Sequence, residues 1–131
     1  METQLFHDSF GVMTHDEVSG ILELRWLAET EAMTDDDFMR WLERYAASAE
    51  QYRARFLLID TRAFKHHPGA HTGPWREEHI IPQYNRAGVK KFAFLLLTGT
   101  APKTEPMPEG AAWFPTGYFD TREQIDRWFN S

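Results

Sequence analysis

With 131 residues, 42% of them apolar and 15% aromatic, the chain can bury a core as one domain and is too apolar to stay disordered. A net charge of −6 leaves no basic surface for general nucleic-acid binding, and the lack of cysteine removes disulfides, thiolate nucleophiles and cysteine metal sites. No apolar run reaches membrane-spanning length, and METQLFHDSF lacks a basic segment followed by an apolar one; a soluble cytoplasmic protein without membrane insertion is expected.

The chain opens with a hairpin. Leu22, Leu24 and Trp26 alternate with Glu23 and Arg25, the pattern of a half-buried strand. Phe10 and Val12 lie in its partner, and HDEVSG supplies the turn. A helix is expected from Thr34 to about Tyr52, capped by Thr34, with Asp35, Asp36 and Asp37 at the positive end of its dipole. Phe38, Trp41, Leu42, Tyr45 and Ala49 form its apolar stripe. The three aspartates read as helix-end electrostatics, because adjacent helix positions diverge and do not converge on a metal.

RFLLID and KFAFLLLTG are short unbroken apolar runs, as expected of adjacent parallel strands covered on both faces. Between them Trp75, Ile80, Ile81, Tyr84 and Ala87 mark a helix that Gly88 stops. Pro82 removes a hydrogen bond to the Glu78 carbonyl, which predicts a kink or break. Glu77 and Glu78 point about 100° apart around the axis and cannot share a proton, while Arg76 and His79 are assigned to the solvated face. A proline-rich loop follows Thr98. WFPTGYFD then reads as a proline-interrupted edge strand, and TREQIDRWF as a final helix with Thr121 and Gln124 in capping-box positions. The result is one α/β domain over residues 1–131, a mixed and mostly parallel sheet with helices packed on it, in the order β-β-α-β-α-β-β-α.

RFLLID running into a polar loop, GVKKFAFLLLTG, and the ending YFDTREQIDRWF resemble the STAS-like superfamily, in particular its SpoIIAA-like branch of anti-sigma-factor antagonists, often grouped with CRAL-TRIO-type lipid carriers. The resemblance runs from about Gly20 onward. It implies a bacterial-type regulatory domain that works by protein interaction or ligand binding. The antagonists carry an Asp-Ser-Ser/Thr-Gly phosphoacceptor motif; here AHTGP puts Ala70 and His71 at its first two positions and keeps only Thr72 and Gly73. The resemblance therefore supports the fold more than it supports phosphorylation.

Open α/β sheets gather ligands at the carboxyl ends of their strands. That rule brings Asp60, Thr61 and Arg62 leaving one core strand toward Thr98 and Thr100 leaving the next, with His71 and Thr72 at the start of the helix between. Helix N–H groups there would favour an anion, helped by Arg62, Lys65 or Lys103. Trp113 and Phe114, the apolar residues expected to be most exposed, would form an apolar wall, and space beneath the Pro82 kink would take anything greasy. This reading gives a non-catalytic module for a small-molecule, lipid-like or anionic ligand or a protein partner, with no cofactor. The plain alternative is that Asp60 and Thr61 merely end a strand. A metal site would use His66, His67, His71 and His79, whose spacing matches no zinc pattern. A small acid/base enzyme would have Asp60 orient His71 or His67, with Thr72 or Thr98 activated. Pairing of WFPTGYF across a homodimer is opposed by its prolines.

Overall fold

The computed structural model describes residues 1–131. Its strands are β1 (Glu2–His7), β2 (Gly11–Asp16), β3 (Ile21–Trp26), β4 (Phe56–Asp60), β5 (Lys91–Leu95), β6 (Met107–Pro108) and β7 (Pro115–Phe119). Its helices are α1 (Asp35–Tyr52), α2 (Thr72–His79), α3 (Ile81–Ala87) and α4 (Arg122–Phe129). The strands form one sheet in the order β1-β2-β3-β4-β5-β7-β6. Pairing is parallel from β3 through β4 and β5 to β7, and antiparallel at both ends.

Every expected element is present in the expected order, and the two greasy runs do lie side by side and parallel, Leu57 opposite Phe92 and Ile59 opposite Phe94. The sheet is larger than its sequence pattern announced. In β1 a bulge between Gln4 and Phe6 breaks the alternation that marks a strand. β6 has only two residues and pairs with Pro115 and Thr116 alone, so it is the outermost strand while Gly117, Tyr118 and Phe119 of β7 have no strand beyond them.

Local signals explain the helices. Thr34 Oγ1 accepts from Asp37 N–H while Asp37 accepts from Thr34 N–H, a complete capping box. At α4 only half of that arrangement forms, with Thr121 accepting from Gln124 N–H. The helical segment after β4 breaks at Ile80, and Pro82 then falls in the first turn of α3, where its missing N–H costs nothing. Gly88 ends α3 at φ 85°, a left-handed conformation that suits glycine.

Two consecutive crossovers of one hand put α1, α2 and α3 on the same face of the sheet. There Leu22, Leu24, Leu57 and Phe92 pack against Trp41, Tyr45, Ile80, Ile81 and Tyr84. Each such side chain contributes about 1.5–3 kcal/mol on burial. The space beneath the helix break is accordingly filled: Ile80, Ile81 and Tyr84 are 1%, 2% and 0% exposed, and no room for a ligand remains there. The other face carries α4 alone, with Ile125 and Phe129 on Leu58, Ala93 and Leu95. That helix reaches β3 through Ile21 and Glu23.

Tyr45 enters the sheet itself. Its hydroxyl accepts from Leu58 N–H at 3.1 Å and donates to Leu22 C=O at 2.7 Å, completing the β3–β4 ladder through a side chain.

Candidate functional site

Asp60 ends β4, and Thr61 and Arg62 leave it in a turn whose Arg62 N–H donates back to Asp60 Oδ1 at 3.1 Å, which sends neighbouring side chains to opposite faces. The strand-end surface expected as one site is therefore two. Asp60 and Arg62 face the side shared with α4, whereas Thr61 faces the side covered by α1 and α2.

The first side is polar. Two hollows of about 400 Å³ each share Arg25, Asp60 and Arg62; one runs over Trp26 to Glu29 and the other across Glu23, Thr14, Gln4 and Arg122. Asp60 is buried and accepts from Arg62 Nε at 3.0 Å and Arg62 Nη2 at 2.8 Å. That two-toothed grip holds the guanidinium proton still more firmly than usual. Beside it Glu23 meets Arg122 at 2.9 Å, and burial raises the Glu23 carboxyl above its ordinary value despite that partner. Arg25, between these clamped pairs, is exposed and makes no ion pair of its own. Chemically this surface offers one free guanidinium to a carboxylate or phosphate.

The second side is apolar. A cleft of about 190 Å³ is lined by Trp26, Phe38, Leu42, Ile59, Phe64 and Phe94, with Thr61 and Arg76 as its polar groups. Trp26, Phe38 and Phe64 form a triangle of rings, their centroids 5.0–5.9 Å apart. The cleft stands at the carboxyl ends of β3, β4 and β5, where the topology predicts a ligand. Thr61 N–H and O–H both donate to Leu95 C=O, so the hydroxyl has no proton left for a ligand. Arg76, expected on the solvated face, instead turns half-buried toward the sheet, 5.8 Å from the Phe92 ring centroid. Its signal was hidden by Trp75, whose bulk claimed the apolar stripe.

The histidine loop adjoins this cleft, His66 lying 5.7 Å from the Phe38 ring centroid and 6.1 Å from that of Phe64. His66 Nε2 lies 2.8 Å from Asp35 Oδ1, and Gly69 N–H donates to the same oxygen at 3.2 Å. The Gly69 and His66 hydrogen bonds hold the Asp35 carboxyl below its ordinary value. Lys65 N–H donates to Thr30 Oγ1, which is wholly buried. These ties, absent from any local pattern because Asp35 and His66 are 31 residues apart, place Phe64 in the cleft wall. His71 is exposed and 3.8 Å from Asp35, while His67 is exposed and His79 approaches only Glu78. The four histidines do not converge, and no group of three metal-ligating side chains assembles anywhere in the chain.

The remaining expected residues are dispersed. Thr72 is buried and donates to Gly69 C=O, closing the turn into α2. Thr98 and Thr100 sit in an exposed turn anchored by Gly99 N–H on Asp120, away from both surfaces. Trp113 is 79% exposed, but Phe114 is 2% exposed and packs toward Tyr84 and Phe92, so the two form no common wall. Known family models, curated proteins and solved structures contain no match to this chain.

Proposed function

We propose that this chain is a non-catalytic binding module of STAS-like type, which takes a small, mainly apolar ligand in the aromatic cleft at the carboxyl ends of β3, β4 and β5. One observation carries the reading: the cleft combines six apolar side chains with only two polar groups at the edge where open α/β sheets bind ligands. Its volume of about 190 Å³ suits a single ring or a short chain, not a long lipid tail. An apolar cavity of roughly 150 Å³ is already enough for benzene. No hydroxyl or imidazole in the cleft is set up as a nucleophile or base, which favours binding over catalysis. The test is native mass spectrometry of the purified protein together with the variant Leu42→Phe, which fills the cleft from α1. A retained small molecule in the native chain and its loss from a folded variant are expected. Equal retention by both would reject the cleft as the site.

The lone Arg25 guanidinium favours a second reading, in which the polar side docks an anionic partner. Titration with inorganic phosphate, followed by amide shifts, is expected to move residues around Arg25 in the native chain and not in Arg25→Ala.

A further inference from the structure

Arg76 is a cation with no anionic partner, its guanidinium lying 5.8 Å from the Phe92 ring centroid. No ion pair includes its guanidinium, and no hydrogen bond from it to another residue is made, although it lines a cleft with aromatic walls. The carboxylates on its own helix and beside β6 make contacts elsewhere. Glu77 accepts from Ala111 N–H at 2.9 Å, Glu109 accepts from the Tyr118 hydroxyl at 2.9 Å, and Glu78 lies 3.9 Å from His79. A half-buried guanidinium has lost part of its hydration, and its planar fork of donors matches a carboxylate two bonds at a time. Thr61 cannot compete for such a group, because its hydroxyl proton is committed to Leu95 C=O.

The apolar part of the cleft is just as selective. Trp26, Phe38, Phe64 and Phe94 provide four aromatic rings, which favour a further ring in edge or offset contact over a flexible chain. We infer that the cleft is built for a single-ring aromatic monocarboxylate, its ring among Trp26, Phe38, Phe64 and Phe94 and its carboxylate on Arg76. This inference rests on the binding role proposed above for the same cleft and adds the chemical class of the occupant.

Benzoate and benzamide separate the two claims, since they share shape and ring and differ in charge. Calorimetric titration of the native chain is expected to show benzoate binding at least roughly tenfold more tightly than benzamide, as a charge-assisted two-bond contact implies. In Arg76→Met that preference should disappear, with benzamide still bound; Arg76→Lys should restore only part of it, because an ammonium lacks the fork. Circular dichroism checks that each variant folds, and the native comparison stands without them. Equal affinity for both probes in the native chain would overturn the carboxylate inference and leave the cleft as an apolar site. Failure of both probes to bind, with no shift in the amides of Thr61 or Phe64, would overturn the cleft itself.

Discussion

Tyr45 and Tyr84 are both fully buried and come from facing helices, their rings 6.1 Å apart, yet their hydroxyls meet opposite fates. The Tyr45 hydroxyl is wired into the β3–β4 ladder, whereas the Tyr84 hydroxyl has no hydrogen-bond partner. Burial raises both phenols far above the ordinary range, so each stays protonated. Tyr45→Phe strands a backbone amide and carbonyl inside the sheet and should destabilise by about 1–3 kcal/mol. Tyr84→Phe removes an unpartnered polar atom and should leave stability unchanged or raise it by up to about 1 kcal/mol. Urea midpoints of the two variants against the native chain check the contrast. From the sequence both tyrosines were legible as members of apolar stripes. What their oxygens touch was not, because helical spacing fixes a face and says nothing about the strand opposite. Arg76 is the same case in reverse: its neighbour Trp75 was assigned inward, and the charge beside it went to solvent by default.

At the scale of elements, the loop after β4 is held on α1 by Asp35, the first helical residue, which receives both His66 and the Gly69 amide. Asp35→Ala should accelerate hydrogen exchange at Gly69 by roughly tenfold or more, since charge-assisted bonds are the stronger kind. The pH dependence has a definite sign. A carboxyl held below its ordinary value of 3.8 stabilises the loop fully above that value, and the contribution fades as pH falls through the lowered one. Gly69 protection measured in an acid series should therefore fail first at the acid end. The aspartate run was legible as a helix start, and it is one; its long-range partner was not, since nothing at the spacing of a helix or strand links residues 35 and 66. The split of the strand-end site was not legible either, because it depends on the turn that brings Arg62 N–H back to Asp60 Oδ1.

Across the whole molecule, one face of the sheet is roofed by α1, α2 and α3, and the other carries α4 over one half only. Arg122 opens α4, the end where a cation opposes the helix dipole, and its position is explained by Glu23 across the sheet face. Burial lifts the Glu23 carboxyl above 4.5, so its stabilising contribution is complete below that value and is lost as pH rises through the raised one. Arg122→Ala should lift Glu23 further and make stability decline more steeply with rising pH. Carbon NMR titration of the Glu23 carboxyl and urea midpoints across pH check both effects. The central parallel strands were legible because doubly covered strands must be apolar throughout. The outer ones were not, since a bulged strand and a two-residue strand leave no period to read.

Asp60, Thr61 and Arg62 belong to one short length of backbone, with the charged surface on one side and the aromatic cleft on the other. They act as a party wall between two rooms. A substitution at Thr61 that releases Leu95 C=O is therefore expected to loosen the Asp60–Arg62 pair on the far side of the same backbone.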